Sequence, residues 1–171
     1  LIDRPPGRPS RGDVDALSDE SLYRPSALGS AGADVTSVQA GEDRPFELWY
    51  RAGTAGIEEG NCVTFFTPGQ NPLGTPVQAE DPAQPGYVKV SGPTGADLEP
   101  LCLGFRVRGG CLHEGDEVRI AVGKTAGFRW TPLAGRKEFK VIVDVGDEEP
   151  TMRLPEPVVI RALPLEAARL E

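Results

Sequence analysis

Apolar side chains recur at every second position in a series of short segments after residue 33. Residues 45–52 are the clearest example, because Phe46, Leu48 and Tyr50 are separated by single intervening residues. A period of two places such a set on one face of a β-strand. The same reasoning predicts eight strands, at residues 34–40, 45–52, 61–67, 87–91, 100–109, 116–123, 137–145 and 157–163.

The fold class follows from the number of these strands and from their amphipathic character. Apolar residues that alternate with charged ones are typical of antiparallel sheets with one solvated face. Seven or more such strands without a long amphipathic helix predict two sheets packed face to face. We therefore predict an all-β fold, an immunoglobulin-like antiparallel β-sandwich of about seven to nine strands. The 21 glycines and 17 prolines among 171 residues agree with many short strands joined by turns.

The chain divides into two parts at about residue 33. Residues 1–32 show neither a helical nor a strand period and begin with a segment rich in proline and glycine, RPPGRPSRGD at residues 4–13. Such a composition favours an extended segment. We predict an irregular N-terminal arm at residues 1–32 and a single β-sandwich domain at residues 33–171, since the length suffices for one domain and is short for two.

Two segments 55 residues apart echo each other. They are GIEEGNCVTFF, beginning at Gly56, and CLHEGDEVRIA, beginning at Cys111. Ile57 corresponds to Leu112, and each segment then turns at a glycine and enters a strand. We predict that each segment crosses from one sheet to the other, with Ile57 or Leu112 capping the core. The alternative is a coincidence between two common turn-to-strand sequences.

Charge and cysteine content narrow the range of partners. A net charge of −8, without any run of three Lys or Arg, argues against nucleic acid. No apolar stretch of about 18 residues is present, so no membrane span is expected. Cys62, Cys102 and Cys111 allow at most one disulfide. Cys102 and Cys111 are predicted at opposite ends of one strand, too far apart to form a disulfide, so we expect free thiols. Free thiols favour a cytoplasmic localisation without establishing it.

Catalytic and metal-binding patterns are largely missing from the sequence. A Ser-His-Asp or Cys-His hydrolase needs a histidine, and the single histidine, His113, falls in a predicted crossing between sheets. The segment HEGDE lacks the second histidine of a zinc protease, and Cys111 and His113 with Cys102 lack zinc-site spacing. Residues 123–125, Gly-Lys-Thr, lack the first glycine of a phosphate-binding loop. We therefore expect no catalytic residue, metal or cofactor in this chain.

Two connections are longer than a sandwich requires. Residues 67–86 contain five prolines, and ordered loops of this length usually have a function or are covered by a neighbour. Residues 123–135 place Phe128, Arg129 and Trp130 together. An exposed Trp beside Arg can stack on a sugar or a peptide. Equally, the tryptophan can close the open end of its own sandwich. The candidate interaction surface comprises Trp130, Phe128, Arg129, Tyr87 and Trp49.

Glycine turns and a proline-glycine-aromatic strand entry occur in five segments: YRAGTAGIEEGNCVTFFTP, DPAQPGYVKVSGP, CLHEGDEVRIAVG, FKVIVDVGDEEP and LPEPVVIRALPLEAARL. As a set they resemble the N-terminal β-sandwich of a bacterial domain-of-unknown-function family. In that family the sandwich precedes a larger domain similar to PHP-type (polymerase and histidinol phosphatase-like) metal-dependent hydrolases. The resemblance implies that this chain is the leading, non-catalytic part of a longer protein, with the histidine-rich metal site beyond Glu171.

Two functions from different classes remain. The favoured hypothesis is a structural accessory module whose two long loops pack on a downstream domain of the same chain. It implies that residues 1–171 are not themselves an enzyme. The alternative is an autonomous module that binds a carbohydrate or a peptide through exposed aromatic side chains.

Overall fold

The computed structural model describes residues 25–68, 72–144 and 152–165. The predicted arm over residues 1–24 and the last residue of the predicted strand 137–145 lie outside the described residues. The elements follow in chain order: α1 Pro25–Leu28, β1 Ser30–Ala33, β2 Ser37–Gln39, β3 Phe46–Arg51, β4 Cys62–Phe66, β5 Val88–Ser91, β6 Asp97–Leu101, β7 Gly104–Gly109, β8 Glu117–Val122, β9 Gly135–Val143, β10 Met152–Arg153 and β11 Val158–Leu163.

The strands form two sheets, which confirms the predicted all-β, sandwich-like fold. A four-stranded sheet has the order β1-β3-β8-β5, and a seven-stranded sheet has the order β2-β11-β9-β4-β7-β6, with β10 paired to β9. Every strand pair is antiparallel except β2 with β11, which is parallel. The described residues contain no helix that is long and apolar enough to cross a membrane.

Alternation along the strands sets the core, as the sequence pattern predicts. In β3 and β8, the alternate residues Leu48 and Ile120 lie opposite each other and are both fully buried. In the facing sheet, Phe65 of β4 lies opposite Val141 of β9, and both are again buried. The inward faces of the two sheets therefore meet in one continuous apolar core.

The predicted N-terminal arm at residues 1–32 extends too far into the sandwich. Ser30–Ala33 forms β1, which pairs with β3 along its whole length. This strand escapes the alternation test because its side chains are small, and the ring of Trp49 lies directly over Gly32, where a Cβ would sit 2.4 Å from the ring. Just before β1, the Tyr50 hydroxyl donates a hydrogen bond to the carbonyl oxygen of buried Leu28.

The predicted strand at residues 100–109 is wrong in one respect, because it is a hairpin. The chain turns at Cys102 and Leu103, so that Leu101 of β6 pairs with Gly104 of β7. Gly104 has φ +153°, and a Cβ there would lie 2.1 Å from the carbonyl oxygen of Val63 on β4. The close approach of β4 thus requires glycine and ends the apparent strand. Cys102 lies in this turn and not at one end of a continuous strand, yet the three cysteines are free as expected.

The two echoed segments are confirmed as crossings between the sheets. Residues 52–61 connect β3 of one sheet to β4 of the other, and residues 110–116 connect β7 back to β8. Ile57 and Leu112 meet in an isolated antiparallel bridge, with hydrogen bonds of 3.0 and 2.8 Å between their backbones. Both side chains are 2% exposed, so together they close this end of the core. We call residues 56–61 and 111–116 the crossing end.

Candidate interaction surface

The opposite end of the sandwich is closed by aromatic rings. Phe46 begins β3, and its ring centroid lies 5.1 Å from that of Phe128 and 4.9 Å from that of Trp130. Phe128 and Trp130 also contact each other edge to face at 5.4 Å. All three are buried, and the Trp130 indole donates a 2.9 Å hydrogen bond to the carbonyl oxygen of Arg44. We call this cluster and the loops around it the aromatic end.

Backbone pairing holds the loop after β8 against the loop before β3. The chain reverses at Gly123, whose φ of +73° and contact with Phe128 exclude a side chain. The amide of Arg44 then donates to the carbonyl of Phe128, and the amide of Trp130 donates to the carbonyl of Glu42, both at 2.9 Å. The aromatic side chains consequently alternate inward while Arg129 between them points outward.

The proline-rich connection packs on this same loop. Leu73 is buried, and its carbonyl accepts a 2.7 Å hydrogen bond from the amide of Thr131. The amide of Thr75 donates to the carbonyl of Arg129, and the Arg129 amide donates back to the Thr75 hydroxyl, both at 2.9 Å. The described parts of the two long loops therefore cover each other.

A local network stiffens the far part of the proline-rich connection. The Gln78 side-chain oxygen accepts hydrogen bonds from the amides of Glu80 and Asp81 at 2.8 and 2.9 Å. Its side-chain nitrogen donates to the carbonyls of Asp81 and Gln84. Gln78 also bridges Tyr87 through the backbone, so the loop returns to β5 in a fixed position.

Trp130 and Phe128, two of the five candidate interaction residues, are buried. Their side chains are 1% and 2% exposed, and they close the sandwich as the second interpretation of this loop has it. The reason is that alternation within the loop sends both rings inward to Phe46. Arg129 remains exposed, with its guanidinium 3.7 Å from the carboxylate of Asp43.

Trp49 and Tyr87, the other two predicted residues, do not form one surface with Arg129. Trp49 is half-buried on the outer face of the four-stranded sheet, against Gly32, and the Arg51 guanidinium lies 5.9 Å from its ring centroid. Tyr87 is half-buried, and its carbonyl accepts a hydrogen bond from the amide of Gly123. Since Trp49 faces outward and Trp130 inward, the five candidates do not form a single binding site.

A groove that the sequence did not reveal opens beside Trp130. Its volume is about 580 Å³. Its walls come from both long loops and from the end of the described chain, and they include Pro72, Thr75, Arg129, Trp130, Pro132 and Leu165. Leu165, which lines the groove, is 68% exposed, and Leu133, which follows the groove residue Pro132, is 61% exposed. Clustering of exposed leucines is the signal of a contact surface that single-residue patterns miss.

Charged side chains organise the outer face between the two ends. Glu47 accepts hydrogen bonds from Lys124 at 2.6 Å and from Arg119 at 2.7 Å. Partial burial of Glu47 raises its pKa, but the hydrogen bonds from these two cations outweigh that effect and hold the pKa below its ordinary value of 4.5. Arg119 also contacts Glu117, which pairs with Arg51.

The described residues contain no group of three or more His, Cys, Asp or Glu side chains that could hold a metal ion. No protein-family model matches the chain, and no curated protein matches its sequence.

Proposed function

We propose that this chain is a non-catalytic accessory module of immunoglobulin-like type, which packs through the groove at its aromatic end on a domain that follows it in the same polypeptide. The observation that carries the proposal is the exposure of two leucines at that groove, Leu165 in its wall and Leu133 next to its wall residue Pro132. Exposed apolar side chains gathered in one place favour contact with another protein surface.

The path of the chain favours the following domain as the occupant. β11 ends at Leu163 beside β2, and Leu165, two residues later, already lines the groove. A polypeptide that continues from this point starts at the groove and needs little linker to cover it. The resemblance described above supplies the class of the occupant, a larger domain similar to PHP-type hydrolases.

The immunoglobulin-like part of the proposal rests on strand adjacency. The parallel pairing of β2 with β11, next to an otherwise antiparallel sheet, supports it. So does the division of the first two strands between opposite sheets, since β1 pairs with β3 and β2 with β11.

Substitutions in the full-length polypeptide test the docking surface. Leu133→Ser together with Leu165→Ser removes apolar contact area without touching the core. In the unaltered protein we expect the accessory and downstream domains to unfold together. In the double leucine variant we expect two separate thermal transitions and faster cleavage of the junction by a protease. Phe66→Ser is the matched control, because Phe66 is 50% exposed on β4 and does not line the groove.

Two results would contradict this function. One is a double leucine variant that unfolds and is cleaved like the Phe66→Ser control. The other is a full-length protein lacking residues 1–171 whose stability and activity are unchanged.

The alternative function, an autonomous carbohydrate or peptide binder, has less support. Burial of Trp130 and Phe128 withdraws the two rings that such a module would offer to a ligand. Trp49 and Tyr87 are each only half-exposed and lie apart from the groove.

A further inference from the structure

The crossing end carries three chemically reactive side chains within six residues. The Cys111 sulfur lies 3.4 Å from Nε2 of His113. On the other side of the same ring, Nδ1 of His113 lies 3.6 Å from Oδ2 of Asp116. The imidazole therefore stands between a thiol and a carboxylate, in the order that activates a nucleophile by proton transfer.

Backbone contacts fix this arrangement. The amide of His113 donates a 2.8 Å hydrogen bond to Oδ2 of Asp116, and the amide of Asp116 donates back to the carbonyl of His113 at 3.0 Å. Leu112, between the cysteine and the histidine, is anchored in the core through its bridge to Ile57. The turn is thus held at its centre and closed by reciprocal hydrogen bonds.

The site is open to solvent. The His113 side chain is 78% exposed, and Cys111 is half-buried. A small molecule can therefore approach the sulfur, which distinguishes this cysteine from a structural one enclosed in the core.

The other two cysteines offer an internal comparison. Cys62 is half-buried on β4 with Asp144 3.8 Å from its sulfur, and burial together with that carboxylate raises the pKa of its thiol. Cys102 is exposed in the β6–β7 turn and, among the described residues, makes no hydrogen bond to an ionisable side chain. Cys111 is the cysteine that combines access with a neighbouring base.

We propose that Cys111 is a reactive thiol that forms mixed disulfides with small disulfide compounds, with His113 as its base and Asp116 as the residue that orients and stabilises the imidazolium. His113 accepts the thiol proton, and the Cys111 thiolate attacks one sulfur of the compound R–S–S–R. A bond forms between that sulfur and Cys111, the original S–S bond breaks, and the leaving R–S⁻ takes up the proton from His113.

Charged side chains lie in the same turn, on the facing crossing and on β8. Glu114 lies in the same turn, and Glu58 and Glu59 follow Ile57 on the facing crossing, all three exposed. On β8, Glu117 is engaged by Arg51. None of these carboxylates stands between the two side chains, so the direct contact of Cys111 with His113 decides the reactivity of Cys111.

Single-cysteine variants of the chain test the proposal. Cys62→Ser with Cys102→Ser leaves Cys111 alone, and Cys62→Ser with Cys111→Ser leaves Cys102 as the matched control. The probe is the neutral disulfide dithiodipyridine, whose released thiopyridone is followed by absorbance across a pH series. At neutral pH we expect Cys111 to react about tenfold faster than Cys102, and to keep its rate at lower pH, where Cys102 becomes unreactive.

Substitution of the neighbours identifies the cause. His113→Gln should reduce the Cys111 rate to that of Cys102 and give both the same pH profile. Asp116→Asn, which keeps an oxygen to accept from the His113 amide, should lower the rate by a smaller factor. Circular dichroism verifies that each variant is folded. The proposal is overturned if Cys111 reacts no faster than Cys102, or if a folded His113→Gln variant keeps the wild-type rate and pH profile.

Discussion

The two ends of the sandwich are closed in different ways. At the aromatic end, Phe46, Phe128 and Trp130 fill the opening, and two long loops cover them. At the crossing end, two aliphatic side chains, Ile57 and Leu112, suffice, with one backbone bridge between them. The same core is therefore closed by a broad aromatic cap at one end and by a small aliphatic plug at the other.

The size of each cap determines what its surface can do. The loops that cover the aromatic rings leave a groove and exposed leucines behind, which suit contact with another domain. The crossings need no covering loops, so the polar residues beside their plug stay in solvent. Cys111 and His113 are in contact there. The proposed docking surface and the proposed reactive thiol therefore lie at opposite ends, and the two ends differ in how much apolar area they bury.

Removing the aromatic cap should have the largest effect. Trp130→Ala deletes the indole that touches Phe46 and Phe128, and it leaves the carbonyl of Arg44 without its donor. We expect a loss of about 3–5 kcal/mol in the free energy of unfolding, measured by chemical denaturation. Trp49→Ala is the control, because it removes the same side chain from a half-exposed position on the outer face. Equal losses from the two substitutions would show that the aromatic cap is not a special feature of this end.

The aliphatic plug should come next. Ile57→Ala and Leu112→Ala each open a cavity at the crossing end, and each should cost about 2–5 kcal/mol. The two residues share the site, so the double variant should lose less than the sum of the single losses, with a coupling of about 0.5–3 kcal/mol. Trp130→Ala combined with Ile57→Ala provides the uncoupled control, since these residues lie at opposite ends. Additive losses for Ile57 and Leu112 would contradict a shared plug.

Most of the core could be predicted from the sequence because the strands alternate strictly. The inward residues of β3, β4, β8 and β9 are buried as expected. The crossing end was also predictable, since the echo between Ile57 and Leu112 reflects two similar crossings that meet in space. The repeated pattern is informative because each copy carries the chain from one sheet to the other and places an apolar side chain over the end of the core.

What could not be predicted depends on contacts between distant segments. The turn at Gly104 is imposed by the approach of β4, and β1 is recognisable only once Trp49 lies over Gly32. The inward orientation of Trp130 follows from pairing with residues 42–44, far away in sequence. Likewise, the contact of Cys111 with His113 arises from the turn geometry that Asp116 closes, which spacing alone does not give.

A glycine comparison between the two crossings should have a smaller effect. Gly56 has φ +65°, and a Cβ there would lie 2.5 Å from the carbonyl oxygen of Leu112, whereas Gly115 has φ +86° and open space around it. We expect Gly115→Ala to cost about 1–2 kcal/mol from the left-handed backbone alone. Gly56→Ala should cost more, because the clash adds to the same backbone term. Chemical denaturation of both variants measures the two losses in the free energy of unfolding. If Gly115→Ala costs as much as Gly56→Ala or more, the backbone around the bridge between Ile57 and Leu112 accommodates the added methyl group.

The smallest expected effect is a pH dependence that arises from Glu47, whose partner Lys124 belongs to the loop at the aromatic end. Its pKa is lower in the folded state, so the ionised carboxylate favours folding. This contribution is complete above the unfolded pKa, near 4.5, and is lost as the pH falls through the folded pKa. At neutral pH Glu47→Gln should therefore be less stable than the unaltered chain, by no more than about 1 kcal/mol. The gap in melting temperature should close as the pH falls below 4.5.

Glu114→Gln is the matched control for this pH dependence, because it removes the same charge from an exposed position at the crossing end. Among the described residues, its carboxylate accepts no hydrogen bond comparable to those of Glu47. At neutral pH its loss of stability should be smaller than that of Glu47→Gln. If the melting temperatures of the two glutamine variants depend on pH in the same way, the charges around Glu47 do not stabilise the aromatic end. Apolar packing alone then stabilises the aromatic cap.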